Sequence, residues 1–216
     1  MEAIFLTDNP KKLKVVYKSV LERGLTDGFS DHLYTREQIQ ESPEIFEEVR
    51  FIFSTWNFPD FSEEDIKQFF PKLEAVFYAA GTVKYFAEPL LKFGVRVFSA
   101  AKANGIPVAE NTVAQIVLSN KGYFQAQRAY RKPFWKLSFN KARTFVDSKS
   151  GNYKAKVGII GAGAVGHHVI ELLKQYDFDI YIHDPYISQA EVESMGVKNI
   201  DLNDLPNIGD QVTEEE

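Results

Sequence analysis

Seven residues carry the most chemistry in this 216-residue sequence: the run Gly161-Ala162-Gly163-Ala164-Val165-Gly166, and Asp184, eighteen positions after Gly166. The run follows a buried-type strand, Val157–Ile160, and opens a helix whose apolar stripe is Val165, Val169, Leu172 and Leu173. Gly161 permits a tight turn, Gly163 lets backbone approach a pyrophosphate, and Gly166 lets the helix pack closely on the strand. Free N–H groups at the helix N-terminus and the positive end of its dipole favour an anion there without a lysine. A second strand, Phe178–Ile182, leads to Asp184, in the place where an acid hydrogen-bonds both ribose hydroxyls. The expected cofactor-binding set is Gly161, Gly163, Ala164, Val165, Gly166 and Asp184. NAD suits this set better than NADP, because a 2′-phosphate would meet like charge and no Arg or Lys occurs between Asp184 and Lys198. A flavin or adenosylmethionine is the open alternative, although flavoproteins more often start with this motif and methyltransferase loops commonly space their glycines differently. A turn without ligand, with Asp184 capping it before Pro185, is the structural alternative.

Such a loop needs a sheet to hold it, and the composition supplies one. The chain is 44% apolar, enough for a core, and its net charge of -5 comes with no basic stripe, so nucleic acid is not an expected partner. Absence of cysteine excludes a disulfide framework and thiol catalysis. The first twenty residues hold Lys11, Lys12, Lys14 and Lys18 without a signal-type apolar run, and no stretch approaches the roughly twenty apolar residues a membrane span requires. A cytoplasmic protein with no membrane partner is expected.

Short apolar runs alternate with amphipathic stretches, as in helices packed on a mostly parallel sheet. Strands are expected at Ala3–Leu6, Phe51–Phe53, Ala75–Tyr78 and Val95–Phe98. Helices are expected through Leu13, Val16, Tyr17, Val20 and Leu21 up to Gly24, from Ser62 through Ile66, Phe69 and Phe70, and over Val83–Phe93 up to Gly94. The stretch from Gly28 to Glu41 carries no clear pattern. From Pro107 a long helix is expected, with Val113, Ile116, Val117, Tyr123, Phe124 and Tyr130 on one face and Pro133 as its end. An aromatic, basic stretch from Phe134 to Phe145 and a polar linker, 148–152, precede the glycine loop.

Taken with the glycine loop, Ala79-Ala80-Gly81-Thr82-Val83, the run from Ser99 to Glu110 including Pro107-Val108-Ala109-Glu110, and His183-Asp184-Pro185-Tyr186 resemble the NAD-dependent D-2-hydroxyacid dehydrogenases. The resemblance covers nearly the whole chain. It implies an α/β protein with a flavodoxin-like substrate domain (1–104), a crossing helix and linker arm (105–153), and the first half of a Rossmann-type dinucleotide-binding domain (154–216). It also implies hydride transfer between NAD and a small 2-oxo or 2-hydroxy acid. Backbone at Ala80 and Gly81 would hold the substrate carboxylate, Trp56 would face the substrate, and Asn104 would touch the cofactor unless it serves only the turn before Gly105. The family's arginine, carboxylate and histidine follow the second strand of the cofactor domain by a long stretch. No arginine follows Arg143 and no histidine follows His183, so no catalytic residue is assigned and a truncated, inactive chain is expected. A non-catalytic nucleotide-binding or interaction protein is the alternative. No metal site is expected. His32, His167, His168 and His183 read as local structure or surface, and Val157–Ile160 as an open sheet edge. The resemblance further implies a homo-oligomer, for which Phe134, Trp135, Phe139 and Phe145 would suit a contact unless they are buried within the monomer.

Overall fold

The computed structural model describes residues 1–24, 28–131, 135–147 and 151–206. The chain divides into two compact units, Met1–Asn104 and Gly105–Glu216.

In the first unit the strands are β1 (Ala3–Leu6), β2 (Phe29–Tyr34), β3 (Phe51–Ser54), β4 (Ala75–Tyr78) and β5 (Arg96–Ser99). Between them lie α1 (Pro10–Val16), α2 (Lys18–Arg23), α3 (Arg36–Glu41), α4 (Glu63–Phe69) and α5 (Ala87–Lys92). All strand pairs are parallel, in the order β2-β1-β3-β4-β5. This is the flavodoxin-like order, in which the chain moves one way from β1 and the other way from β3. Every residue of β1 is buried, as expected of a strand covered on both faces. One face packs Ile4, Leu6, Ile52 and Val76 against Phe46, Phe70, Phe86 and Leu90. On the other face one register row aligns Phe5, Phe53, Phe77 and Phe98 across four strands, with the Phe53, Phe77 and Phe98 rings stacked at 4.9 and 5.1 Å.

Several expectations for this unit need correction. The helix expected from Leu13 to Leu21 breaks at Tyr17, whose hydroxyl donates to the Ser54 carbonyl at 3.1 Å while its ring packs on Phe5. Burial raises the Tyr17 pKa to about 12, so the phenol remains a donor at neutral pH. The unassigned stretch forms β2 and α3, the latter started by a Thr35–Gln38 capping box. The helix expected over Val83–Phe93 is shorter, and β5 begins one residue later than expected.

The second unit begins within α6 (Ala101–Asn120), which starts six residues before Pro107 and contains that proline. A left-handed Gly122 (φ 66°) separates it from α7 (Tyr123–Tyr130), so the single long helix is two. That break turns Tyr123 and Tyr130 to solvent, whereas Val113, Ile116 and Val117 stay on the core. Helix α8 (Trp135–Asp147) follows. Pro133 and Phe134 lie outside the described residues, as do Glu214, Glu215, Glu216 and part of the linker. Phe139 is exposed and meets Tyr130 edge-on at 6.2 Å.

Strand β6 (Lys156–Ile160), helix α9 (Ala164–Leu173), strand β7 (Asp179–His183), helix α10 (Gln189–Ser194) and strand β8 (Lys198–Asn199) complete the unit. The parallel order is β6-β7-β8, with β6 at an edge and its Ile160 exposed. Val157, Ile180 and Ile182 pack beneath Val169, Ile170 and Leu173 of α9 and Ala109 and Val113 of α6. Among the described residues no helix is long and apolar enough to cross a membrane, and no cluster of His, Asp and Glu could hold a metal.

The C-terminal ends of β1 and β3 are tied by Ser54, whose fully buried hydroxyl donates to the Leu6 carbonyl at 2.6 Å. Ser54→Ala removes that donor and leaves a buried acceptor, so it is expected to cost about 1–3 kcal/mol in denaturant unfolding. A loss near zero would mean the two strand ends are held by their ladder alone.

Candidate functional site

In the second unit, β6 delivers the chain to Gly161, whose φ of 95° is a conformation that a side chain would strain. The Gly161 N–H donates to the His183 carbonyl at 2.9 Å, tying the loop to the end of β7. Gly163 is the N-cap of α9 in an extended conformation, and a Cβ placed there meets nothing within 4 Å. A Cβ on Gly166, by contrast, would collide with the Gly161 carbonyl oxygen, so the close return of helix over loop requires glycine there. The helix ladder begins only at His167, whose N–H donates to the Gly163 carbonyl at 3.0 Å. Among the described residues the N–H groups of Gly163, Ala164 and Val165 have no protein acceptor. Helix α6 backs this turn: a Cβ at buried Gly105 would lie 3.6 Å from the Ala164 backbone and from Val165 Cγ2.

Asp184 follows β7 and grips the loop from the other side. Its Oδ2 accepts from the Ala162 N–H at 2.6 Å and its Oδ1 from the Tyr186 N–H at 2.8 Å. These donors, Ala162 first and Tyr186 second, hold the carboxyl below the ordinary aspartate value of 3.8. Each oxygen keeps a lone-pair direction beyond these bonds, so the carboxylate can still accept from ribose hydroxyls. The residues of the glycine motif and the acid therefore meet at one place, joined by backbone hydrogen bonds.

A concavity of about 310 Å³ beside the acid is lined by His183, Asp184, Asn199, Ile200 and Asp201. Asn199 and Asp201 follow from β8, which is drawn into the sheet by the Ile200 N–H donating to the Ile182 carbonyl at 3.0 Å. The sequence reading missed both residues. The only available signal was the spacing of a third strand after the second, because neither residue belongs to a motif. Lys198, the first lysine or arginine after Asp184 in sequence, is engaged elsewhere: its Nζ pairs with Asp179 at 3.2 Å and lies over the Tyr181 ring.

The other expected contacts lie in the first unit, at the C-terminal ends of neighbouring strands. Ala80 and Gly81 follow β4, and the Ser99 hydroxyl reaches both of their carbonyl oxygens. Their own N–H groups have no acceptor among the described residues. Asn104 belongs to α6 and not to a turn, and its amide Nδ2 would lie 3.3 Å from a Cβ on Gly81. Trp56 follows β3, is 41% exposed as a residue, and has Lys12 above its ring at 5.8 Å. Three histidines have local partners: His32 meets Gln38, His167 the Gly163 carbonyl and His183 the Ile200 carbonyl.

Gly163 and Gly166 should fail differently. Gly166→Ala is expected to lower the melting temperature through its clash, whereas Gly163→Val should melt like the parent and lose dinucleotide affinity, read by calorimetry. Equal loss of stability in both variants would contradict this geometry. A carboxyl with a lowered folded-state pKa contributes stability that is complete above the unfolded value and drains as pH falls through the folded one. The Ala162 amide resonance is therefore expected to titrate with a midpoint below 3.8, the ordinary aspartate value. A midpoint at or above that value would show that the bond to Asp184 does not form in solution.

Residues 113–213 match the family model for the D-isomer specific 2-hydroxyacid dehydrogenase, NAD binding domain. Over 121 residues the chain is 30% identical to a D-3-phosphoglycerate dehydrogenase of Methanocaldococcus jannaschii, covering 56% of this chain and 22% of that protein. The corresponding enzyme of Archaeoglobus fulgidus is 28% identical over 120 residues, with 56% and 21% covered. The matched region thus spans about a fifth of the length of these curated relatives. Among solved structures, a phosphoglycerate oxidoreductase from Rhizobium etli superposes with a TM-score of 0.67 at 20% identity, covering 94% of this chain and 62% of that one. The holo D-mandelate dehydrogenase of Rhodotorula graminis gives 0.70 at 14% identity, covering 93% and 61%. At such identities these structures establish the fold alone, and it is the two-part α/β architecture expected from the sequence. The matched segment contains the glycine loop and Asp184 in a geometry that fits NAD, and over that segment the chain is similar to the NAD-binding domain of the D-isomer specific 2-hydroxyacid dehydrogenases.

Proposed function

We propose that this chain binds NAD(H) through the α9 N-terminus and Asp184, and serves hydride transfer between that cofactor and a small 2-oxo or 2-hydroxy acid. The carrying observation is the bond from the Ala162 N–H to Asp184 Oδ2, which holds the pyrophosphate loop and the ribose acid in one fixed relation. The free N–H groups of Gly163, Ala164 and Val165 would receive the pyrophosphate, and Asp184 the ribose hydroxyls. NAD itself would supply the hydride acceptor or donor, and the protein's task is to bind and orient.

For the acid substrate, the chain offers the Ala80 and Gly81 N–H groups as donors to a carboxylate, on a loop fixed by Ser99. Trp56 would bound the space available to its side chain. His32, His167 and His183 each have one ring nitrogen bonded to a local partner, and the contribution argued for this chain is binding and orientation. That arrangement also supports the non-catalytic reading, in which nucleotide binding is retained for interaction or regulation.

The cofactor preference is the sharpest consequence. Asp184 and Asp201 both line the concavity beside the ribose position, and Lys198 is committed to Asp179, so a 2′-phosphate would face two acids without a lysine or arginine in the lining. NADH is expected to bind at least tenfold more tightly than NADPH by calorimetry, with Asp184→Ala narrowing the gap. Equal or tighter NADPH binding would overturn the assignment of Asp184 to the ribose.

A further inference from the structure

The first unit carries a concavity beside Trp56 that the dinucleotide reading does not use and that shares only Trp56 with the oxoacid reading. In a parallel sheet of order 2-1-3-4-5, the chain leaves β1 and β3 in opposite directions and opens a gap beyond their C-terminal ends, where ligands of such folds sit. Here that gap is flanked by α1 after β1 and by Trp56 after β3. A concavity of about 390 Å³ is lined by Lys11, Lys12, Val15 and Val16 of α1 and by Trp56.

Trp56 is held in place by its backbone. Thr7, fully buried at the end of β1, donates its hydroxyl to the Trp56 carbonyl at 3.2 Å. The Asp8 N–H donates to the Asn57 carbonyl at 3.0 Å, and Asn57 is left-handed at φ 67°, an unusual conformation for a residue other than glycine. Strained backbone kept by surrounding bonds is the kind of feature that marks ligand clamps. Yet Trp56 is not used as core, the residue being 41% exposed. The opposite wall is apolar, with Val15 76% exposed. Lys12 lies over the Trp56 ring, and neither it nor Lys11 has a carboxylate partner among the described residues. An aromatic wall, an apolar wall and two unneutralised ammonium groups complement a flat apolar body with an anionic head.

We propose that this crevice is a binding site for a flat organic anion, an aromatic or heteroaromatic carboxylate or phosphate, that stacks on Trp56 and is paired by Lys11 and Lys12. The site lies in the first unit and needs no dinucleotide; it shares Trp56 with the oxoacid reading but takes its charge contacts from Lys11 and Lys12, which that reading does not use, so the lysine variant tells the two apart. An occupant would take its ring contact from Trp56 and Val15 and its charge contact from the two lysines. A neutral ligand of the same shape would leave the ammonium groups without a counter-charge and bind more weakly.

The sequence has two tryptophans, so the indole N–H region of a ¹⁵N spectrum of the full chain shows two side-chain signals, and Trp56→Phe identifies one. Titration with 2-naphthoate is expected to shift the Trp56 signal to saturation. Binding should weaken at least tenfold with 2-naphthalenemethanol as probe, and likewise in the Lys11→Met/Lys12→Met variant, which alters only exposed side chains. 2-Naphthyl phosphate in place of the carboxylate tells which anionic head is preferred, and Gly163→Val should bind either anion as the parent does. A Trp56 signal that stays still or drifts without saturation would overturn the proposal. So would equal affinity for the neutral probe, or a double variant that binds like the parent.

Discussion

The hydrogen bond from the Ala162 N–H to Asp184 Oδ2 is the contact on which the dinucleotide reading depends. It joins the loop after β6 to the residue after β7, two segments separated by the whole of α9. Because the acceptor is a carboxylate, the bond is charge-assisted and shorter than a neutral one. Gly166 completes the arrangement by letting α9 close onto the Gly161 carbonyl. With loop and acid locked together, the free N–H groups of Gly163, Ala164 and Val165 are oriented before any ligand arrives. Preorganisation of this kind lowers the entropy lost on binding.

The two units use the same device for different ends. In each, parallel strands carry polar or conformationally special residues just past their C-terminal ends, where the chain turns and backbone donors are left over. In the second unit the special residues are glycines, and in the proposed reading the donors would face a pyrophosphate. In the first, Ala80 and Gly81 leave free N–H groups after β4, while Thr7 and left-handed Asn57 present an aromatic ring after β3. The sheets hold these points in register: Phe5, Phe53, Phe77 and Phe98 align across one, and Ile160 stands opposite His183 in the other.

Six of the eight strands among the described residues were legible because buried parallel strands read as short apolar runs, and β1 and β4 fall on the expected residues. The glycine loop was legible because its spacing is a backbone requirement. What escaped depended on tertiary contacts. The break at Tyr17 exists because its hydroxyl finds Ser54 across the sheet, which no local pattern records. Strand β2, with Ser30, Asp31 and His32 among its residues, lacks the apolar run of its neighbours and owes its place to pairing with β1. Pro107 suggested a helix start, yet α6 carries it internally. Asn199 and Asp201 reach the site only because β8 pairs with β7, and two residues of strand leave almost no trace in a sequence.

The central claim is that a dinucleotide meets the first turn of α9 and the acid that grips its loop. An amide-resolved titration of the 216-residue chain with NAD⁺ tests it most directly. Saturating shifts should concentrate at Ala162, Gly163, Ala164 and Val165 and at the residues around Asp184 and Asp201, with the strands of the first unit unmoved. Saturation with shifts centred elsewhere, or none at the α9 N-terminus at millimolar NAD⁺, would contradict the account.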